Sequence, residues 1–155
     1  MKSWWKLIVS IIFVELVGIL GSFFTIGSIS NWYSTLVKPS FNPPSWIFGP
    51  VWTILYLMIG VSFYLIWISK TKQKSKAYWI FAIQLFLNGI WSIVFFGMHQ
   101  ILGALAIIAL LWLAIILNML AFYKISKTAG YLLGPYWIWV SFASVLNFSI
   151  WWLNK

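Results

Sequence analysis

Side chains able to perform acid–base or metal chemistry are almost absent from this sequence. Glu15 is the only acidic residue, His99 is the only imidazole, and there is no Asp and no Cys. Paired carboxylates, a thiolate nucleophile, a Ser-His-Asp triad or a zinc site cannot be assembled from this set within one chain. All ten basic residues are Lys, so bidentate guanidinium recognition of phosphate is also excluded. We therefore expect no metal site and no conventional catalytic centre.

Aromatic rings are the functional groups that the chain has in excess. Thirteen Trp, thirteen Phe and seven Tyr make up 21% of the 155 residues, more than the aromatic belts of a membrane protein require. The hydrophobic share is 63%, the charged share is 7% and the mean hydropathy is +0.98. Soluble domains carry roughly 25% charged residues, so this composition indicates an integral membrane protein.

Five apolar runs are long enough to cross a hydrocarbon core, which takes roughly 20 helical residues. They cover about residues 7–29, 46–69, 77–97, 101–123 and 130–153. The sequence predicts an all-α membrane protein, a bundle of five transmembrane helices that forms a single domain over residues 1–155. The one sizeable loop is the outer loop 30–45. Too few residues remain for a soluble catalytic domain, so the function is expected within the bundle or on this loop.

The lysines are distributed unequally between the two ends of the predicted bundle. The end that holds the N-terminus has Lys2, Lys6, the 70–76 cluster, Lys124 and Lys127, whereas the other end has Lys38 and Lys155. The positive-inside rule predicts a multi-pass protein of the cell membrane with a cytoplasmic N-terminus. The 30–45 loop and the C-terminus are then outside. The net charge of +9 is assigned to topology and contact with membrane lipid, and no nucleic-acid partner is expected.

Polar and aromatic residues recur with helical period on three of the spans. The second span has Trp52, Tyr56, Gly60 and Phe63, the third has Gln84, Asn88, Trp91, Ser92 and Phe95, and the fifth has Tyr136, Trp139, Ala143, Asn147 and Trp151. Because polar groups are costly in lipid, these faces are expected to point inward. They predict one flat-walled apolar cavity with a few hydrogen-bonding groups. The alternative is that the amides join helices and the rings fill space.

The outer loop is unusually stiff and aromatic for a solvated connection. Residues 32–44 contain Pro39, Pro43 and Pro44 together with Trp32, Tyr33 and Phe41. Proline fixes φ and removes a hydrogen-bond donor, which favours a preorganised segment. We expect this segment to lie over the mouth of the bundle as a lid.

The same residues resemble the signature of a known family. The pattern W-Y-x-x-L-x-K-P-x-x-x-P-P-x-x-x-F-x-x-V-W-x-x-L-Y-x-x-x-G runs from Trp32 to Gly60. Further matching positions are Gln84, Asn88, Trp91, Ser92, Phe95, Leu132 to Tyr136, Trp139, Ala143, Asn147 and Trp151. This set resembles the tryptophan-rich sensory protein and translocator protein family, the TspO/MBR family, formerly called peripheral benzodiazepine receptors.

The resemblance implies a five-helix homodimer that binds tetrapyrroles, such as protoporphyrin IX or haem, as ligands and needs no cofactor. It also implies binding of isoquinoline or benzodiazepine ligands, light-dependent oxidative degradation of the porphyrin, and tetrapyrrole transport or sensing. Carried over by position, the ligand-binding residues are Tyr33, Trp52, Tyr56, Asn88, Trp91, Phe95, Trp139, Ala143, Leu146 and Asn147. Trp52 and Trp139 match the tryptophans linked to photodegradation. Because this photochemistry uses no conventional catalytic group, it is left open whether the chain is an enzyme.

The depth of Trp52 and Trp139 in the membrane bears on whether one ligand contacts both. The second span enters from outside and the fifth span from inside. Counting about 1.5 Å per residue from the outer helix ends predicts a vertical offset of roughly 12 Å between the two indoles. A tilted porphyrin is broad enough to touch both.

Glu15 and His99 each have two interpretations. A carboxyl group within the first span is costly in lipid, and a proton-coupled small multidrug exporter that uses Glu15 is the alternative function. The simpler interpretation is that Glu15 is protonated or snorkels near the inner boundary. His99, in the short connection after the third span, is expected to be solvated at the interface rather than to ligate haem iron.

Overall fold

Apolar runs bounded by proline, glycine or lysine-rich breaks fold into helices in the computed structural model, which describes residues 3–72 and 74–155. Within these residues there is no strand, and five helical segments are long and apolar enough to cross a membrane. The segments are Trp4–Tyr33, Ser45–Ile68, Ser75–Gly97, Ile101–Ile125 and Lys127–Leu153. The predicted all-α bundle of five transmembrane helices is confirmed. Lys2, which the topology prediction counts, lies outside the described residues.

The five segments contain six α-helices. These are α1 (Trp4–Ser28), α2 (Phe48–Ile68), α3 (Ser75–Ser92), α4 (Ile101–Ile125), α5 (Lys127–Leu132) and α6 (Gly134–Leu153). A π-helical turn, Ile29–Tyr33, continues α1, and a second one, Ile93–Gly97, continues α3. A 3-10 turn, Ser45–Ile47, leads into α2.

The helices form a closed ring around a buried core. Helix α1 packs on α2 and α3, α4 packs on α3 and α6, and α5 bridges α2 and α4. The centre is filled by fully buried side chains, including Tyr136, Phe122, Ile59, Ile66 and Leu111. Gly60 permits the closest approach of α2 to α1, since a Cβ atom there would lie 2.8 Å from the Cα atom of Ile11. This ring leaves the aromatic faces of α2, α3 and α6 directed at one space.

The predicted outer loop 30–45 is wrong at its start, because the first helix continues to Thr35. Polar side chains in this stretch bond back to the preceding turn instead of ending the helix. Asn31 Nδ2 donates to Gly27 O at 3.0 Å, and Ser34 Oγ donates to Ser30 O at 2.9 Å. Pro39 is the first residue after Gly27 whose type opposes helix continuation. The connection between the first two spans is therefore residues 36–44.

The predicted fifth span, 130–153, begins at Lys127 and is divided at Leu133. Pro135 stands at the first turn of α6, where its missing N–H is tolerated, but it cannot extend the helix from α5. Ser126 caps α5 by accepting a bond from Ala129 N, and Ser62 Oγ of α2 donates to Ala129 O at 2.7 Å. The short α5 therefore anchors the start of the fifth span against α2.

His99 forms the tight turn between α3 and α4. Its φ is 57°, the left-handed conformation that follows many helix ends. The backbone N–H groups of Met98 and Gln100 donate to Ile93 O and Val94 O at 2.8 and 3.0 Å. These bonds satisfy carbonyl groups at the end of the π-helical turn.

Lys74 and Lys6 lie at the same end of the bundle. Lys74 Nζ donates to the carbonyl oxygens of Trp67 and Ser69 at the end of α2. Burial, and secondarily the charge of Lys6, lowers the pKa of Lys74. The N-terminal segment and the basic 70–76 connection therefore share one end of the bundle, as the topology prediction requires.

Candidate ligand-binding cavity

A cavity of about 440 Å³ lies between α1, the start of α2, and facing parts of α3 and α6. Its volume is within the range of small-molecule pockets, roughly 300–1,000 Å³. Nine of the ten predicted ligand-binding residues are on its wall: Tyr33, Trp52, Tyr56, Trp91, Phe95, Trp139, Ala143, Leu146 and Asn147. The structure thus brings together residues from four segments that are far apart in sequence.

Asn88 is the exception, because it is not among the residues that line the cavity. It is 2% exposed and lies behind the wall. Tyr56 Oη donates to Asn88 Oδ1 at 2.6 Å, and Asn88 Nδ2 donates to Tyr136 Oη at 2.7 Å. A buried amide is expected to satisfy both of its ends, and two phenols do so here. In this structure Asn88 therefore positions the Tyr56 ring.

Asn147 reaches the wall, but its amide also joins helices. Trp91 Nε1 donates to Asn147 Oδ1 at 3.1 Å, and Asn147 Nδ2 donates to Ile101 O at 3.1 Å. These bonds connect α6 to α3 and α4. They also fix the Trp91 ring, which stacks on Phe95 with the ring centroids 5.3 Å apart.

Trp52 and Trp139 are closer in depth than the sequence predicts. The Trp52 ring stacks on Tyr56 and meets the edge of Tyr136, with centroids 5.4 and 6.3 Å apart. Phe48, one turn before Trp52, meets the Trp139 ring at 6.2 Å. These contacts place the two indoles about one helical turn apart, roughly 5 Å along the axis. The predicted offset of roughly 12 Å is wrong because α2 begins deep in the bundle.

The outer loop explains the depth of α2, since it descends along α6 before α2 begins. The backbone of Val37 exchanges two hydrogen bonds with the Asn154 side chain, at 3.0 and 2.9 Å. Further along, Phe41 packs on Phe142 with a centroid distance of 6.2 Å. Residues 36–44 are not on the cavity wall themselves. Their link to it is Tyr33, whose Oη donates to Asn42 Oδ1 at 2.6 Å.

The first helix supplies a wall that the sequence analysis did not assign. Glu15, Gly18, Ser22 and Thr25 line the cavity at a spacing of three or four residues, together with Gly21. A Cβ atom at Gly18 would lie 2.3 Å from the Tyr56 ring, so glycine makes room for that ring. The recurrence of small and polar residues every three or four positions along α1 is the sequence signal that could have identified this wall.

Glu15 is the only acidic side chain on the wall. It lies with Gly18 and Tyr56 at the end of the cavity nearest the N-terminal half of α1. Among the described residues its carboxyl group makes no hydrogen bond and no ion pair. None of the described Lys side chains lines the cavity.

Some residues of the predicted inward faces of the second and third spans fill the core instead of lining the cavity. Phe63 stacks on Phe81 with centroids 4.5 Å apart, and Gly60 contacts α1. Gln84 is fully buried, and its amide has no hydrogen-bond partner among the described residues. For these residues the alternative interpretation applies, in which the side chains pack the helices together rather than form a cavity.

His99 is exposed and its ring stacks on Trp32, with centroids 4.3 Å apart and planes 15° apart. Ser28 Oγ lies 3.4 Å from His99 Nε2. Among residues 3–72 and 74–155, no three His, Cys, Asp or Glu side chains come together in a group that could hold a metal ion.

Comparisons with known proteins agree with the sequence signature. The sequence model of the TspO/MBR family matches residues 10–153. The chain is 51% identical to the tryptophan-rich protein TspO of Chlorobaculum tepidum over 142 residues, 89% of each chain. It is 46% identical to the tryptophan-rich protein TspO of Archaeoglobus fulgidus over 96% of this chain and 97% of that one. It is also 38% identical to the human translocator protein over 85% of this chain and 80% of that one.

Proposed function

This chain belongs to the TspO/MBR family, and on that premise we propose that it binds a tetrapyrrole such as protoporphyrin IX in the aromatic cavity. We propose further that it promotes light-dependent oxidative degradation of this pigment and takes part in its transport or sensing. The observation that carries the proposal is that Trp52 and Trp139 share the wall of one cavity. Light absorbed by a bound pigment would then act next to two oxidisable rings.

The shape and chemistry of the wall support a flat aromatic ligand. Two stacked pairs, Trp52 with Tyr56 and Trp91 with Phe95, present ring surfaces within the cavity. Flat π-systems favour offset-stacked or edge-to-face contacts with such rings. The Trp139 indole N–H is buried and has no acceptor among the described residues, so it is free to donate to a ligand.

The charges favour one orientation of a porphyrin dicarboxylate. The cavity wall in the described part of the chain contains no Lys, and Glu15 stands at its inner end, so carboxylates are disfavoured there. Lys38 lies beside the outer end, where its Nζ is 5.0 Å from the centroid of the Tyr33 ring. The apolar edge of the macrocycle would enter first and the propionates would remain near the outer interface.

The proposed chemistry uses the pigment as the reactive group and dioxygen as the oxidant. The protein contributes binding, orientation and exclusion of competing reactions, as with other chromophore-dependent reactions. An indole can donate an electron to an excited pigment without a general acid or base. This is consistent with the scarcity of ionisable side chains in the cavity.

The direct test is a titration of the purified protein with protoporphyrin IX in darkness, followed by illumination. Binding should quench tryptophan fluorescence in the dark, and light should accelerate loss of the porphyrin absorption band relative to pigment in empty detergent. Removal of dioxygen should stop the acceleration. If the protein binds porphyrin in the dark but light does not accelerate the loss of porphyrin, the protein only binds the pigment, and the proposed photodegradation is contradicted.

An isoquinoline ligand tests whether synthetic ligands share this cavity. Because one aromatic cavity contains nine of the ten assigned residues, the isoquinoline should displace the porphyrin competitively. Simultaneous, independent binding of both would contradict a shared site.

We also propose that the protein resides in the cell membrane as a homodimer with a cytoplasmic N-terminus. The orientation is supported by the lysines at the two ends of the bundle. Lys6, the 70–76 cluster, Lys124 and Lys127 flank one end, and Lys38 and Lys155 flank the other.

A further inference from the structure

We propose that Glu15 makes this cavity a binding site for flat aromatic ligands that carry a protonated amine. This is a second ligand class, in addition to the proposed tetrapyrrole. The amine nitrogen would lie at the inner end of the cavity, beside Glu15 and Gly18, and the rings would lie against Trp52 and Tyr56.

The first argument is that Glu15 has no hydrogen-bond or ion-pair partner among the described residues. It is the only acidic residue of a chain with a net charge of +9, yet none of the described lysines forms an ion pair with it. A carboxyl group in a membrane-spanning helix is costly and usually faces a cavity with a partner of its own. Glu15 faces the cavity, so a cation bound there would supply the missing partner.

The second argument is that the hydroxyl groups of α1 on the cavity wall already donate within their own helix. Ser22 Oγ donates to Ile19 O at 2.7 Å, and Thr25 Oγ1 donates to Gly21 O at 3.0 Å. Tyr56 Oη on the facing helix donates to Asn88 Oδ1. The α1 side of the cavity therefore presents acceptors without free hydroxyl donors. An ammonium group has three donors and no acceptor, which is the complementary set.

The third argument is the aromatic surroundings of the carboxyl group. Trp52 and Tyr56 are stacked on the wall that contains Glu15. A cation near indole or phenol faces gains about 0.5–2 kcal/mol, more when it is desolvated. Over residues 3–72 and 74–155, no positive side chain on the wall opposes such a cation. A carboxylate beside aromatic rings therefore favours cationic over anionic ligands at this end.

The experiment compares two ligands that differ only in the charged group. They are 9-(aminomethyl)anthracene, which is cationic at neutral pH, and 9-(hydroxymethyl)anthracene, which is neutral. Binding to the full-length protein in zwitterionic nanodiscs is followed by energy transfer from tryptophan to anthracene. We expect the amine to bind about tenfold more tightly than the alcohol, since a charge-assisted hydrogen bond replaces a neutral one.

Glu15→Gln keeps the size of the side chain and removes its charge. It should reduce the preference for the amine to within about twofold, and Glu15→Asp should retain part of the preference. Ser149→Ala, which lies outside the cavity wall and whose hydroxyl donates only to Val145 O within α6, is the control and should leave the preference unchanged. If Glu15→Gln fails to fold, Glu15→Asp and the comparison of the two ligands on the wild-type protein still decide the outcome.

Equal binding of amine and alcohol by the wild type, or an unchanged preference in Glu15→Gln, would overturn the proposal. Porphyrin titrations on the same samples separate this outcome from failure of the proposed function. Loss of porphyrin binding by all samples, with the amine preference intact, would instead refute the tetrapyrrole proposal alone.

Discussion

The role of each cavity residue depends on what its polar atoms already bind. Trp91 and Trp139 are both on the wall, but Trp91 Nε1 is bonded to Asn147 whereas Trp139 Nε1 has no acceptor among the described residues. A buried donor without a partner costs free energy that a ligand acceptor can recover. Trp139 is therefore better suited to contact a ligand, and Trp91 to hold the wall together.

We predict that Trp52 and Trp139 carry the light-dependent chemistry and that the other wall residues carry most of the binding. Phe keeps an aromatic wall but lacks the easily oxidised indole. The double variant Trp52→Phe, Trp139→Phe should bind porphyrin in the dark within a few-fold of the wild type. Its degradation rate under light should fall about tenfold, equivalent to roughly 1.4 kcal/mol of barrier.

The measurement is the decay of porphyrin absorbance at matched occupancy. Trp79→Phe is the control, because Trp79 is 68% exposed and is not on the cavity wall. Equal decay rates in the wild type and the double variant would show that the two indoles do not contribute to degradation and that the protein only binds the pigment.

We predict that Ala143→Thr weakens ligand binding and leaves the fold intact. Ala143 lies one turn beyond Trp139 and lines the cavity, so added bulk there reduces the space for a ligand. Overpacking typically costs about 1–3 kcal/mol, which corresponds to roughly 5- to 150-fold in affinity. Ala106→Thr makes the same substitution on an exposed face of α4 and should change affinity little. Unchanged porphyrin affinity in Ala143→Thr would contradict the placement of the ligand.

The sequence predicted the residues that contribute rings to the cavity better than those that contribute polar atoms. Trp52, Trp91 and Trp139 follow helical periodicity, and this is sufficient to place them on inward faces. Asn88 has the same periodicity, but its amide is turned to two phenols that come from other helices. Glu15 was missed as a wall residue, because its position depends on how closely α1 approaches α2 at Gly18.

The helices themselves were predictable, whereas their ends depend on local hydrogen bonds. For the spans predicted at 46–69, 77–97 and 101–123, the observed ends differ by at most two residues. The first span runs on through a π-helical turn because Asn31 and Ser34 bond to the preceding carbonyls. Hydropathy carries no information about such bonds. The descent of the 36–44 loop along α6 depends on contacts distant in sequence, which one sequence cannot supply.

The Val37–Asn154 contact holds the start of this loop against the end of α6. Asn154→Ala removes three hydrogen bonds: Val37 N–H to Oδ1, Nδ2 to Val37 O, and Nδ2 to Ile150 O of α6. Each exposed bond contributes about 1 kcal/mol at most. We predict that the loop loosens and that porphyrin dissociates several-fold faster.

Stopped-flow displacement of bound porphyrin measures this dissociation rate. Ser149→Ala is the control, because its hydroxyl donates only to Val145 O within α6. A dissociation rate equal to that of the wild type would show that the loop does not control access to the cavity.

The whole molecule is polarised in charge along the axis of the bundle. Lys6 and Lys74 lie together at one end, where Lys74 binds the final carbonyls of α2. Lys38 and Lys155 are at the opposite end, where the Val37–Asn154 contact joins the outer loop to the C-terminus. The cavity lies toward this second end, so the topology decides from which side of the membrane a soluble ligand would arrive.

We predict that the end bearing the 70–76 connection is cytoplasmic and that the 36–44 loop faces outward. The chain has no Cys, so one introduced cysteine reports its own position without background. Ser40 and Ser75 are both exposed and lie at opposite ends of α2 and its flanking loops. With a membrane-impermeant maleimide, Ser40→Cys should be labelled in intact cells, whereas Ser75→Cys should be labelled only after permeabilisation. This outcome is expected because moving a lysine-rich connection across the membrane is disfavoured, while a loop with the single Lys38 is readily translocated. Labelling of Ser75→Cys in intact cells, with Ser40→Cys protected, would reverse the topology and place the cavity mouth toward the cytoplasm.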